Sequence, residues 1–381
     1  MPSTPSSPSF PWRRGNRFRL LADGDRFFPV MLEAIDSARD SILLEIYLFE
    51  SGQTAGRFVE ALSRAAGRGL QVCLLLDDFG ARGLAQADRQ RLTEAGVALA
   101  FHNPLHYGDL RRNLFRDHRK LLIVDGCLAF TGGFGITDEF DPASDPRPWR
   151  ETVVEIRGPV LQDWHRLFAR NWQRWDERPL PALPRPAPDP ADMPGRTVIS
   201  IDMHRAEIKR SLHYHCRHAR QHIWIATAYF VPSRKLRQAL KRAARRGVDV
   251  RLLLPGRYTD HPAVRLAGRR FYSQLLDAGV RIFEYQPRFL HQKVAVCDDW
   301  VSIGSSNLDR WNLRWNLEAN QEIRHPAFTA EVMRMLEQDV ADSEEIRRRP
   351  WHQRPWYNRL GERLFGAIDR WVDRFLQRRR H

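Results

Sequence analysis

Two short segments of this 381-residue chain repeat one arrangement of reactive side chains: His118-x-Lys120-x4-Asp125 in HRKLLIVD and His291-x-Lys293-x4-Asp298 in HQKVAVCD. Lysine makes the coincidence informative, because only five lysines occur, at 120, 209, 235, 241 and 293, while arginine supplies the other 56 of 61 basic side chains. With 14 histidines and 28 aspartates in the chain, chance gives on the order of 0.01 such matches. If each segment enters a strand, positions i and i+2 face one side, so His118 shares a face with Lys120 and His291 with Lys293. Two imidazoles and two ammonium groups around one point suit a phosphodiester. The lysines and backbone N–H groups hold its nonbridging oxygens, one imidazole attacks phosphorus, and the other protonates the leaving oxygen, giving a covalent phosphohistidine and two successive displacements. Lysine, a compact point charge, fits the phosphate role. An Asp that closes a strand is also a common turn residue, which gives Asp125 and Asp298 a second, structural reading.

The elements that carry these segments are duplicated. Arg64 to Asp78 (RAAGRGLQVCLLLDD) aligns with Arg242 to Gly256 (RAARRGVDVRLLLPG) at nine of fifteen positions, and Leu92 to Pro104 matches Leu275 to Pro287 around a common Ala-Gly-Val. In each half an amphipathic run passes through Gly69 or Gly247 into a short Val/Leu-rich run, which predicts helix, tight turn and buried strand. The alternation continues, so the expected fold class is α/β, with layers around a largely buried sheet. Two halves packed about a pseudo-twofold axis would place both His/Lys pairs in one cleft at their interface. Seven prolines between Pro179 and Pro194 read as a stiff linker between the halves. The expected division is a disordered tail over 1–16, a first half over 17–178, the linker over 179–196, a second half over 197–345 and a basic C-terminal helix over 346–381.

The paired motifs, each followed by a Gly-rich turn, resemble the phospholipase D superfamily. The longer runs HRKLLIVDGCLAFTGG and HQKVAVCDDWVSIGSSNLDRWNLRWNLEAN resemble its bacterial cardiolipin synthase branch, closest to the B type, over about residues 17 to 345. The resemblance implies two phospholipase D-like α/β/α sandwich halves, with His118, Lys120, Asp125, His291, Lys293 and Asp298 catalytic. His118 would be the nucleophile and His291 the general acid and later base, although the residues alone leave that order open. It further implies phosphate contacts from Ser305 and Asn307, and it places Glu151 (WRETVV) and Glu318 (NLEAN) as carboxylates that orient the histidines. Two departures stand out. Gly135 replaces the second half's Asn307, and Asp298 to Gly304 is one residue shorter than Asp125 to Gly132.

A net charge of +15 predicts attraction to polyanions, which leaves anionic membrane and nucleic acid as partners. Composition excludes disordered, collagenous and disulfide-scaffold chains. Four cysteines without a CxxC pair fit a reducing compartment, and neither a spanning run nor a secretory signal is read. No cofactor or metal is called for: HYHCRHARQH reads as a basic helix leading into a strand, and Asp77-Asp78 as a loop start. From Tyr357 to Arg380 an apolar stripe with Trp371 faces away from many arginines, the pattern of an interfacial helix. The resemblance implies cardiolipin synthesis, by phosphatidyl transfer from phosphatidylglycerol with release of glycerol, and the arginine-rich amphipathic stripe favours lipid. The expected location is peripheral, on the cytoplasmic face of the cell membrane, with anionic phospholipids as partners, nucleic acid disfavoured and the oligomeric state open. The alternatives are a phospholipase D-type phosphodiesterase acting on phospholipid or nucleic acid, and a non-catalytic binding scaffold.

Overall fold

The computed structural model describes residues 9–106, 108, 112–182, 184, 186–201, 206–307 and 316–354. The first half runs β1 (Arg13–Ala22), α1 (Gly24–Asp36), β2 (Ser41–Ile46), α2 (Gln53–Gly67), β3 (Gln71–Asp77), α3 (Gln86–Glu94), β4 (Ala98–His102), β5 (Leu121–Val124), β6 (Leu128–Gly132), β7 (Thr152–Arg157) and α4 (Leu161–Trp172). The second runs β8 (Met193–Ser200), α5 (Glu207–His218), β9 (His222–Thr227), α6 (Arg234–Arg245), β10 (Asp249–Pro255), α7 (Pro262–Arg269), α8 (Tyr272–Leu276), β11 (Arg281–Tyr285), β12 (Lys293–Cys297), β13 (Trp300–Gly304), β14 (Glu318–Arg324), a helix over Pro326–Ala341 and β15 (Ser343–Glu345).

Strand order is the same in both: β1-β7-β6-β5-β2-β3-β4 against β8-β14-β13-β12-β9-β10-β11, the latter extended by β15. The predicted helix, glycine turn and buried strand are α2 to β3 and α6 to β10, with Gly69 and Gly247 both at φ 89° where an L side chain is strained. β1 and β8 pair antiparallel through Arg13↔Gly195 and Asn16↔Met193, joining the halves in one fifteen-stranded sheet.

Strand alternation sorts the apolar side chains into three cores. Val72, Leu74 and Leu76 of β3 pack outward with Phe28 of α1 and with Phe58 and Leu62 of α2. Ile223 and Ile225 of β9 do the same with Leu212 of α5 and Leu240 of α6. Cys73 and Leu75 face inward, into a core that also holds Trp164 and Phe168 of α4, Val332 and Leu336 of the Pro326–Ala341 helix, and Trp224 and Val294 of the second half. The innermost core thus belongs to both halves. Trp164 marks the crossing, since its Nε1–H donates to Gln321 Oε1 of β14 at 2.8 Å.

Two expected boundaries are corrected. The tail does not extend to residue 16, because Phe10 is buried and β1 starts at Arg13, whose guanidinium makes two hydrogen bonds, 2.6 and 2.9 Å, to buried Asp163. Burial of that carboxylate needs the arginine. The second half begins at Met193, not 197, because β8 takes up its ladder there. The proline-rich segment is docked along β1, with Asp189 N–H donating to Gly15 O at 2.7 Å and Asp192 Oδ1 accepting from Gly15 N–H at 2.7 Å. Beyond residue 345 a short helix over Arg348–His352 rests on α8 through buried Trp351, whose Nε1–H donates to Ser273 Oγ at 3.1 Å. The amphipathic stripe from Tyr357 to Arg380 lies outside the described residues. Among those described, no helix is long and apolar enough to cross a membrane.

A core common to both halves should make unfolding a single event. Trp164→Ala is expected to cost about 3–5 kcal/mol, with one denaturant transition whether followed by tryptophan fluorescence or by far-UV circular dichroism. Two separated transitions in the unmutated protein would contradict the shared core.

Candidate active site

Backbone pairing between the halves brings the two motifs together. His118 N–H donates to Leu317 O (3.0 Å) and Leu317 N–H to Arg116 O (2.8 Å). At the related position His291 N–H donates to Arg150 O (2.8 Å) and Arg150 N–H to Phe289 O (2.8 Å). The residues next in sequence to Leu317 and Arg150 are Glu318 and Glu151, so each histidine receives its carboxylate from the opposite half. His118 Nδ1 lies 3.0 and 3.1 Å from the two Glu318 oxygens, and His291 Nδ1 lies 2.6 Å from Glu151 Oε2. A carboxylate on Nδ1 favours the proton on that nitrogen and a lone pair on Nε2; at His291 the Lys293 ammonium also stands 2.8 Å from Nδ1 and 3.2 Å from Nε2.

His118 and Lys120 sit in the extended lead-in just before β5, while Lys293 opens β12. Alternation holds at both, since Arg119 turns away to Asp117 (3.1 Å) and Glu45 (3.1 Å). Lys120 Nζ donates to His118 O at 2.7 Å and lies over the Tyr47 ring at 5.2 Å; Lys293 Nζ bonds His291 O and approaches Glu151 Oε2 at 3.3 Å.

Burial disfavours every charge in this cluster. It is the largest influence on His118, and the ammonium groups of Lys120 and Lys293 add to it, holding the imidazole well below its ordinary value. His291 is lowered in the same way, by burial and then by Lys293, and it also feels Lys120 and His118 across the cleft. Burial lowers Lys120 to about 7 and lifts Glu318 to about 8 and Glu151 to about 6, against the attraction of the lysines for both carboxylates. Both imidazoles are therefore neutral near pH 7. A phosphodiester anion brought among these groups would favour the charged lysines and a protonated second imidazole.

A family described as cardiolipin synthase, PLD-like domain, matches residues 31–172 and 214–340, a range that contains both motifs. The chain belongs to this family. It is 34% identical over 361 residues to the cardiolipin synthase B of Salmonella typhi, covering 91% of this chain and 86% of the relative. It is 36% identical over 358 residues to the cardiolipin synthase A of Pseudomonas entomophila, covering 90% and 72%. The crystal structure of a phosphatidylserine synthase from Haemophilus influenzae superposes with a TM-score of 0.73 at 15% identity over 94% of each chain, a likeness of fold.

Within this cardiolipin synthase framework the motif aspartates, expected to be catalytic, stand in turns away from the histidines and lysines. Asp125 and Asp298 lie at the far ends of β5 and β12, about 16 Å from the lysines at roughly 3.3 Å per residue. Each adopts a positive φ, 50° and 51°, and each carboxylate collects three consecutive backbone N–H groups. For Asp125 these are Arg39 (3.0 Å), Asp40 (2.8 Å) and Ser41 (2.9 Å); for Asp298 they are Arg220 (2.9 Å), Gln221 (2.9 Å) and His222 (3.1 Å). They pin the loops that enter β2 and β9. Partial burial pushes Asp298 up, but those three hydrogen bonds outweigh it and hold its carboxyl below the usual range. The one-residue length difference is absorbed at the same far end. Between paired residues β5 and β6 turn through Asp125, Gly126 and Cys127, whereas β12 and β13 turn through Asp298 and Asp299 alone.

Ser305 is also placed differently from its expected role, since its hydroxyl is spent on Glu318 and on Ala319 O (3.3 Å). It braces the orienting carboxylate. Its counterpart Gly133 has no room for a side chain, because a Cβ there would lie 2.3 Å from Glu151 Oε2. Asn307 is fully buried, and among the described residues neither its amide nitrogen nor its oxygen has a hydrogen-bond partner, which fits a side chain kept for an oxyanion.

Several neighbours went unread in the sequence. Tyr47 packs edge-on to His118 at 4.9 Å, and Phe140, Trp149 and Phe289 surround His291 at 5.4, 5.0 and 5.6 Å. Trp149 stands two residues before Glu151, the one readable hint. Asp77 is indeed a loop start, accepting Phe79 and Gly80 N–H at 3.0 Å each, and it also accepts Asp117 N–H at 2.8 Å, next to His118. The histidines of HYHCRHARQH point to separate places: His215 stacks on Trp300 at 4.1 Å, and His218 Nδ1 meets Tyr214 O at 2.7 Å.

Asp125→Ala and Asp298→Ala should each cost about 1–2 kcal/mol of stability, as a lost cap does, with turnover per folded molecule little changed at a temperature well below unfolding. Because the folded Asp298 carboxyl is depressed, its contribution is complete above about pH 4 and is lost as pH falls through its folded value. Loss of turnover without loss of stability in either variant would return these residues to the reaction.

Proposed function

We propose that the protein is a cardiolipin synthase that moves a phosphatidyl group between two phosphatidylglycerol molecules. The observation that carries the reading is the crossed pair of buried His–Glu contacts, with Lys120 and Lys293 beside them. The relatives named cardiolipin synthase support the choice of lipid. In the first step Nε2 of His118 attacks phosphorus, the bond from phosphorus to the headgroup glycerol breaks, and His291 gives its proton to the departing oxygen. Glycerol leaves and the phosphatidyl group stays on His118. In the second step His291 takes the proton from a glycerol hydroxyl of the second phosphatidylglycerol, whose oxygen displaces His118 from phosphorus. One phosphodiester replaces another, so no external energy source is needed. Lys120, Lys293 and Asn307 hold the nonbridging oxygens, and Glu318 and Glu151 stabilise positive charge as it develops on the imidazoles. Attachment is peripheral, at the cytoplasmic face of the cell membrane, through anionic phospholipids.

Purified protein incubated with labelled phosphatidylglycerol vesicles should yield cardiolipin and one glycerol per cardiolipin; phosphatidic acid as the main product would make it a hydrolase instead. His118→Ala and His291→Ala should each abolish synthesis while keeping the fold. Their roles separate on a p-nitrophenyl phosphodiester, whose leaving group needs no acid. There His291→Ala should release one nitrophenolate per active site and then stall, and His118→Ala should release none; the reverse pattern would exchange the two histidines. Glu318→Gln, which keeps the shape but removes the capacity to carry negative charge as the His118 imidazole becomes charged, should lower kcat by about 10²–10⁴ with KM little altered, and an undiminished kcat would remove Glu318 from the mechanism.

A further inference from the structure

Three of the four large apolar side chains exposed among the described residues belong to segments that meet beside His118: Phe79, at 49% of its full accessibility, and Leu114 and Phe115, each at 39%. They come from two segments, the loop after β3 and the stretch leading into His118. One buried carboxylate ties these together. Asp77 accepts the backbone N–H groups of Phe79 and Gly80 on one side and of Asp117 on the other, with Arg116 Nη1 3.5 Å away. Arg116 lies 5.9 Å from the Phe79 ring, and Arg82 covers that ring at 4.8 Å. The apolar tips thus stand on a rigid, hydrogen-bonded base, three to four residues before His118 in the case of Leu114 and Phe115. Lone exposed apolar residues need no explanation, but a cluster of them on the rim of a reaction site does.

We propose that this rim is the surface by which the protein docks on an anionic phospholipid bilayer, with Phe79, Leu114 and Phe115 entering the boundary between headgroups and acyl chains and Arg82 meeting lipid phosphates. Charge favours that occupant. The chain carries +15, and Arg82 has no carboxylate partner among the described residues. Position favours it as well. A two-chain lipid keeps its phosphodiester at the bilayer surface, and lifting it out exposes more apolar surface with every methylene, so a buried imidazole reaches that phosphorus only if the mouth of its cleft meets the bilayer. The choice of lipid rests on the cardiolipin synthase reading, but docking is measured without turnover, so the two can fail separately.

The test uses the full chain with Leu114→Cys in a Cys127→Ser background, the other three cysteines being buried, labelled with a nitrobenzoxadiazole fluorophore. Vesicles of phosphatidylglycerol and phosphatidylcholine should shift its emission to the blue, and lipid carrying a quencher in the upper acyl chain should quench it. Phe79→Ser with Phe115→Ser should weaken vesicle co-sedimentation about tenfold or more without a comparable fall in melting temperature, and Arg82→Gln should weaken it only when phosphatidylglycerol is present. Co-sedimentation with the label still in water, or no binding to these vesicles at all, would overturn the proposal. Embedding of the label without any cardiolipin formed would support docking and remove the proposed reaction.

Discussion

Everything in the catalytic cluster depends on the exchange of carboxylates between the halves. His118 is oriented by Glu318 and His291 by Glu151, and in both cases the carboxylate is next in sequence to a residue that bridges the opposite motif strand through the backbone. A histidine placed on a strand end can rotate about two side-chain bonds; the hydrogen bond at Nδ1 removes that freedom and sets the tautomer. Because the partner comes from the other half, neither half holds a complete site. The inner core built from α4 and the Pro326–Ala341 helix, and the β1 to β8 junction, are then conditions for catalysis as well as for stability.

The same exchange explains why so much charge can be buried here. Two lysines, two glutamates and two histidines lie largely out of water and act on one another electrostatically. Opposite charges offset part of the desolvation, but burial still dominates, lowering the lysines and raising the carboxyls. Such a site is short of negative charge. The phosphodiester supplies it, so binding the substrate relieves a penalty the folded protein carries, and the donors are already in place where charge develops in the transition state.

How much of this was legible beforehand follows from what each signal encodes. The His/Lys spacing and the duplicated helix, turn and strand are local patterns, so the α/β class, the two repeated halves and the gathering of two histidines and two lysines are legible in them. Glu151 and Glu318 were reached through resemblance, since nothing in their local sequence says that each serves the other half. A motif records which residues occur together and not what each one does: Asp125 and Asp298 bond the loops that enter β2 and β9, some five residues of strand away from the lysines. The same holds of Ser305, its hydroxyl being taken by Glu318. The tail boundary failed because the burial of Phe10 and the pairing of Arg13 with Asp163 depend on helix α4, some 150 residues away. The aromatic wall around His291 comes from three loops and has no period to detect.

The pseudo-twofold is kept in the residues that act on phosphorus and broken in those that face its substituents. Ladder register makes Tyr47 the counterpart of Ala228, since Glu45 stands opposite Leu121 as Ala226 stands opposite Val294. Trp149, two residues before Glu151, has Asn316 as its counterpart before Glu318, and Gly135 answers Asn307. The proposed reaction requires that division. A leaving alcohol and an entering alcohol that exchange protons with one imidazole must occupy the same side in turn, while the phosphatidyl group stays fixed on the other. Two like histidines are needed for attack and protonation, but the spaces beside them must differ, or the diacylglycerol arm and the small alcohol could bind interchanged and present phosphorus to the wrong nitrogen. An apolar wall of Phe140, Trp149 and Phe289 against His291, and the phenol of Tyr47 against His118, meet that demand with the repeated scaffold unchanged.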